Sequence, residues 1–167
     1  VTFDKHPTTV IAPERAPLLI QSLDQRLEAI RALGVNATLI LPFDEAMSQI
    51  PAEAFIQGLA VDLGRISSIC VGAQFAFGQG RKGNVKLLHQ LGQELNFVAH
   101  GTASVALDGE TVSSTRIRQA IAGGQLDLAG QMLGREYALA GKVIRGDQRG
   151  RELGFPTANL EITGRCT

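Results

Sequence analysis

The sequence predicts an α/β fold, a parallel sheet flanked by helices, that gives way near residue 135 to a β-rich segment. Three observations predict it. Strand-like apolar runs alternate with helix-period segments through most of the chain. The helix-period segments carry starting and stopping residues at their ends. From Tyr137 onward the helix period vanishes, and glycines stand at 146, 150 and 154. With 167 residues, 44% of them hydrophobic, the chain can bury one ordinary core and approaches the size at which a second begins.

Val1 to Phe3 reads as a buried strand end. Ser22-Leu23-Asp24-Gln25 has the form of a capping box, and Leu23, Leu27, Ile30 and Leu33 follow at helical spacing before Gly34. Residues 37–41 are a short apolar run stopped by Pro42. Pro51 is placed for the first turn of a helix through Leu59, because its fixed φ suits a helix start and its missing N–H costs nothing there. Ile66 to Val71 is a further apolar run, entering Gly72. Asn84 can cap a helix carrying Val85, Leu88, Leu91 and Leu95, followed by strands at 97–100 and 104–107 and a turn at Asp108-Gly109. Ser114 can cap a helix ending at Gly123-Gly124, and Leu126 to Leu133 makes another, stopped by Gly134. A strand from Tyr137 through Ile144 then leads into a loop without helix period.

Lys and Arg number 16 against 16 Asp and Glu, so no whole-chain field draws the protein to nucleic acid or an anionic membrane. Any anion must be recognised locally. Cys70 and Cys166 have neither metal-ligand spacing nor the density of a disulfide framework, which suits a reducing cytoplasm. No stretch approaches a membrane span, and no basic region with an apolar signal core opens the chain. The first residues are strand-like without an initiator Met, and the last follow closely on an ordered-looking motif, so both ends are expected to be cut. Oligomeric state is not legible.

Three segments concentrate the chemistry. In Val112 to Arg118, hydroxyls and unpaired N–H groups gather at the positive end of a helix, where phosphate binds readily. Arg118 lies one turn beyond Ser114 and can lean back toward that end, while Arg116 faces elsewhere and is read as solvated. The same string also reads as an ordinary serine cap with surface arginines. Val71 to Gly83 leaves the end of a parallel strand, the edge where open α/β sheets bind ligands. Gly72, Gly78, Gly80 and Gly83 permit close backbone approach, Phe75 and Phe77 offer flat apolar surface, and Arg81 with Lys82 suits phosphate. Alternatively, both phenylalanines are core. Gly141 to Asn159 is the most informative: its glycines and arginines suit a loop folded over polyphosphate, and Thr157 and Asn159 supply oxygens of the kind Mg²⁺ accepts. The same segment also reads as a Gly-rich β turn with surface charge, and it is neither a Walker loop nor a dinucleotide fingerprint.

Taken in order, these segments resemble the bacterial bifunctional riboflavin kinase and FMN adenylyltransferase family. Val1-Thr2-Phe3-Asp4 with His6-Pro7 is similar to the family's TFDPHP strand end, VGAQFAFG to its flavin-side loop, SSTRIR to its SSTxIR nucleotide motif, and GRELGFPTAN to its kinase signature. The resemblance implies a Rossmann-like nucleotidyltransferase domain over 1–135, lacking its N-terminal part, and the start of a β-barrel riboflavin kinase domain over 136–167. It implies that Ser113, Ser114, Thr115 and Arg118 contact ATP in the adenylyltransferase and that Asp4, Gln74, Phe75 and Phe77 lie by the flavin. It further implies that Gly146, Gly150, Thr157 and Asn159 bind ATP in the kinase, with Thr157 and Asn159 on Mg²⁺. Lys5 stands where the family usually has proline, and Gln74 where Asp or Asn is common.

The implied chemistry is FAD biosynthesis. The riboflavin 5′-hydroxyl attacks the γ-phosphorus of ATP to give FMN, and the FMN phosphate attacks the α-phosphorus of a second ATP to give FAD and pyrophosphate. Both steps rest on positioning and charge neutralisation. The family's HxGH motif is expected ahead of Val1, and its remaining barrel with the catalytic carboxylate after Thr167, so no catalytic residue is assigned and the chain by itself is expected to be inactive. His6, His89 and His100 lack that spacing and are read as turn, helix-surface and strand-end residues. Two alternatives are a nucleotidyltransferase for pantetheine phosphate or nicotinamide mononucleotide, which shares the helix-start motif, and a flavin- or nucleotide-binding module without catalysis.

Overall fold

The structure, a computed structural model, describes residues 1–147 and 149–162. Gln148, Cys166 and Thr167 lie outside the described residues. In chain order the elements are β1 (Thr2–Phe3), α1 (Thr8–Ile11), α2 (Leu23–Ala32), β2 (Ile40–Leu41), α3 (Glu45–Ser48), α4 (Ala52–Asp62), β3 (Ser68–Gly72), α5 (Val85–Leu95), β4 (Val98–Thr102), β5 (Ala106–Leu107), β6 (Glu110–Thr111), α6 (Ser114–Ala122), α7 (Leu126–Leu133), β7 (Gly141–Ile144), α8 (Arg149–Glu152) and β8 (Asn159–Ile162). They form two compact units. One comprises Phe3–Ala16 and Leu41–Thr111; the other comprises Val1–Thr2, Pro17–Ile40 and, of the described residues, 112–147 and 149–162.

The first unit is built on a βαβ crossover. β3 and β4 pair in parallel from Ser68 opposite Val98 to Gly72 opposite Thr102, with α5 between them in sequence. The Asn84 side chain accepts the Leu87 N–H at 3.0 Å, as its cap role requires, and Asn96 ends the helix at φ +59, a left-handed conformation that asparagine tolerates. Leu88 and Leu91 join Ala52, Ile56, Phe77, Phe97 and Ala99 in one buried cluster, against which Ile69 and Val71 pack. Ser68, Cys70 and Gly72 face outward. This apolar run is thus covered on one face, where α4 and α5 supply the apolar layer. Cys70 is an exposed free thiol. The Asp108-Gly109 turn joins β5 to β6 with φ of +54 and +79, the left-handed pair a tight antiparallel hairpin requires.

In the second unit the Ser22 box forms as read. The Ser22 side chain accepts the Gln25 N–H at 3.2 Å and the Gln25 side chain accepts the Ser22 N–H at 3.1 Å. Ile117, Ala120 and Ile121 of α6 and Ala129 and Met132 of α7 are buried at helical spacing where the two helices pack, and Gly134 closes α7 at φ +66. β7 and β8 pair antiparallel, Gly141 opposite Ile162 and Ile144 opposite Asn159.

Several expectations shift. Val1 is exposed, with only Thr2 and Phe3 of that strand half-buried. Pro51 sits just outside α4 at ψ 150, with Ala52 taking the first helical position, and α4 runs on to Asp62. Ser113, not Ser114, caps α6. The loop after β7 holds one short helix, α8, which its glycines and arginines hide from a periodicity reading.

Gln25 has a second role: its Nε2 donates to the Ala138 carbonyl at 2.8 Å, and Arg135 donates to the Gln21 side chain at 2.6 Å, so the segment after α7 is tied to the start of α2. Gln25→Glu keeps the capping acceptor and deletes this donor. Hydrogen exchange across residues 135–140 is expected to accelerate about fivefold, the worth of one net hydrogen bond, while the melting transition moves little. Unchanged exchange would show that the tie carries no weight.

Candidate functional site

Asp4 follows β1 directly. Thr2 N–H donates to Leu39 and Asp4 N–H to the Leu41 carbonyl, an ascending pattern that puts Asp4 at the C-terminal edge of the β1–β2 pair. Its Oδ1 accepts the Phe43 N–H at 2.9 Å and the Lys5 N–H at 2.8 Å, which fixes the carboxylate across the two strand ends. A proline at position 5 would have no N–H to give, so the second of these bonds needs a residue such as lysine there. The Phe3 and Phe43 rings meet edge-on at 4.9 Å.

After β3 the chain turns, with Phe75 N–H on the Gly72 carbonyl at 2.9 Å. Phe77 is 8% exposed and belongs to the core, while Phe75 is 43% exposed and stacks on it, ring centroids 5.5 Å apart at 17°. One ring of this aromatic pair is therefore core and the other exposed. Gln74 is exposed beside them. The four glycines also divide. A Cβ on Gly72 meets nothing within 4 Å, and one on Gly80 only the flexible Lys82 side chain, but on Gly78 or Gly83 it would strike Ala52. Those two serve packing rather than ligand approach. Arg81 and Lys82 are exposed, and Arg81 holds φ +58, uncommon for a residue with a side chain.

At α6 the Ser113 side chain accepts the Arg116 N–H at 3.2 Å. That bond uses one lone pair of the hydroxyl and leaves its O–H to donate. Ser114 and Thr115 are exposed in the first turn, where backbone N–H groups have no partner within the helix and the dipole favours an anion. Arg118 donates through Nε to the Leu18 carbonyl at 2.6 Å, leaving its terminal nitrogens for an anion, and partial burial lowers its pKa from the ordinary arginine value without threatening its charge. Arg116, read as solvated, is half-buried and engaged. The Leu18 contact was missed in the sequence, and nothing local to Arg118 signals it.

The β7–β8 pair brings the third group together. A Cβ on Gly146 would collide with the Asn159 amide, and one on Gly150 with the Phe155 carbonyl and the Thr157 side chain. Phe155 N–H donates to the Gly150 carbonyl at 2.7 Å, closing the loop around α8. Gly146 thus neighbours Asn159, and Gly150 neighbours Thr157, with Thr157 and Asn159 exposed. Their oxygens are neutral, and among the described residues no group of three His, Cys, Asp or Glu could hold a metal. Such a donor set fits a hard cation whose charge is met mainly by phosphate. His6, His89 and His100 lie at a turn before α1, on the surface of α5 and on the outer face of β4. An open hollow of about 790 Å³ between α7 and the following segment is lined by Asp127, Gln131, Arg135 and Tyr137, none of them a candidate site residue in the sequence.

Among known proteins, the FAD synthetase family matches residues 1–116 and the riboflavin kinase family residues 133–167. A bifunctional riboflavin kinase/FMN adenylyltransferase of Escherichia coli (strain K12) is 36% identical over 160 residues, 96% of this chain and 51% of that protein. The protein of the same name from Pseudomonas fluorescens is 34% identical over 165 residues, 99% of this chain and 53% of its own length. This chain spans about half the length of these relatives. A crystal structure titled as a macrolide-efflux protein from Streptococcus pneumoniae superposes with a TM-score of 0.82 at 28% identity, over 100% of this chain and 54% of that one. No helix among the described residues is long and apolar enough to cross a membrane. With the match to its profile running through more than two thirds of the sequence, this chain belongs to the FAD synthetase family.

Proposed function

We propose that this chain is part of an enzyme of FAD biosynthesis that phosphorylates riboflavin to FMN and adenylylates FMN to FAD. In this reading residues 1–135 belong to the adenylyltransferase and residues 136–167 open the kinase. The supporting observation is the order of the two family matches, FAD synthetase and then riboflavin kinase, in one chain. The exposed first turn of α6 with Arg118 receives the ATP phosphates, Ser113 holding that turn and Ser114 and Thr115 adding hydroxyls. Asp4, Gln74 and Phe75 border the flavin, with Phe77 beneath. Gly146 and Gly150 let the kinase loop close on a second ATP, and Thr157 and Asn159 supply oxygens to its Mg²⁺, which neutralises phosphate charge when bound. The exposed free thiol of Cys70 suits a reducing cytoplasm.

The three histidines lie apart in the chain, so the chain itself is expected to bind FMN and ATP without joining them. Titration with each, followed by an assay for FAD, tests this. Binding of both without turnover is the expected result. Failure to bind either ligand would contradict the assignment, and FAD formation by these residues alone would contradict the need for a histidine motif.

A further inference from the structure

The segment that presents Phe75 is locked to the start of α4. Phe77 and Gly83 exchange both backbone hydrogen bonds, at 3.1 and 2.9 Å, closing the intervening glycine-rich turn. Gln79 N–H donates to the Ile50 carbonyl at 2.8 Å, and the Gln79 side chain donates to that of Gln49 at 2.6 Å. Ala52, 2% exposed, fills the space between. A Cβ on Gly78 would lie 2.5 Å from the Ala52 Cα, and one on Gly83 2.7 Å from its Cβ and 2.8 Å from the Phe77 ring. That space takes one methyl and no more. Phe55, from the same helix, tilts against Phe77 at 6.4 Å.

Resting on the flavin reading above, we infer that Ala52 is a positioning residue for the planar heterocycle: its methyl sets the seat of Phe77, and Phe77 sets the plane in which Phe75 offers its exposed face. Stacked rings are sensitive to such a seat, because a gap of half an ångström to one ångström forfeits roughly a quarter to a half of the contact attraction. Bulk added at position 52 cannot be absorbed by Gly78 or Gly83, whose backbone already touches it. It must move Phe77, and the shift passes to Phe75 through the 5.5 Å stack. Ala52 itself touches no ligand.

The test uses the 167-residue chain with Ala52→Cys, Ala52→Val and Phe75→Ala. Three quantities are read: FMN affinity by fluorescence anisotropy, Phe75–Phe77 ring proximity in the ligand-free protein by proton NMR, and folding by circular dichroism. Ala52→Val is expected to weaken FMN binding about tenfold, the scale of an aromatic stacking interaction, and to weaken the ring-to-ring signals, with Ala52→Cys intermediate. A folded Ala52→Val protein with unchanged ring signals and affinity overturns the inference. If that variant does not fold, unchanged signals and affinity in Ala52→Cys overturn it equally. Phe75→Ala with unaltered FMN affinity would refute the flavin reading instead, and the ring signals of the Ala52 variants would still judge the seat.

Discussion

Ser114→Ala combined with Arg118→Ala in the intact protein is expected to lower FMN adenylylation by about 10²- to 10³-fold, the usual cost of removing preorganised donors from developing negative charge. Riboflavin phosphorylation should change little, because its proposed residues are a separate set, Gly146, Gly150 and Thr157 between β7 and β8 and Asn159 at the start of β8. The choice of Ser114 matters. Ser113 supports the helix through its bond to the Arg116 N–H, and its loss would cost about 1 kcal/mol of stability and blur the result. Arg118→Ala also deletes the bond to Leu18, so folding is checked by thermal denaturation. Equal loss of both activities would refute the division of labour between the two motifs.

Gly78→Ala is expected to be the most damaging small substitution in the first unit, at about 2–6 kcal/mol. Gly78 sits at φ +70 and ψ 178, a region almost reserved for glycine, which contributes about 1–3 kcal/mol. The collision with Ala52 backbone adds a comparable overpacking cost of about 1–3 kcal/mol. Gly109→Ala separates the two causes: it shares the positive φ, +79, but meets nothing within 4 Å, so it should cost about 1 kcal/mol. Gly72→Ala, with open space and no strain, should stay within about 0.5 kcal/mol. Against a domain stability of about 5–15 kcal/mol these differences are readily resolved in urea melts. A Gly78→Ala protein no less stable than Gly109→Ala would show that the loop is not pressed onto α4.

What the sequence revealed about the fold is what neighbouring residues decide. The Ser22–Gln25 box, the Asn84 cap, the Gly134 terminator and the Asp108-Gly109 hairpin each depend on a few adjacent side chains and backbone angles, and each formed as read. The α6 cap fell one residue earlier than read because Ser113 and Ser114 carry the same hydroxyl. The register is set by which face buries Ile117, Ala120 and Ile121. The site was less legible where distant residues take part. The purpose of Gly78 and Gly83 depends on Ala52, more than twenty residues away, and the anchor of Arg118 is a carbonyl 100 residues earlier. No periodicity or spacing carries such pairings. The division between Phe75 and Phe77 was likewise hidden, since two aromatics at alternate positions give no sign of which one the α4–α5 layer will cover.

A crystal structure of the intact protein with a non-hydrolysable ATP analogue and FMN examines the phosphate assignment without the intermediary of kinetics. The expected density places one triphosphate over the N–H groups of Ser114 and Thr115 with the Arg118 terminal nitrogens in hydrogen-bond reach, and the isoalloxazine ring against Phe75. Nucleotide bound at a distance from a bare α6 terminus, with that turn facing only solvent, would contradict it.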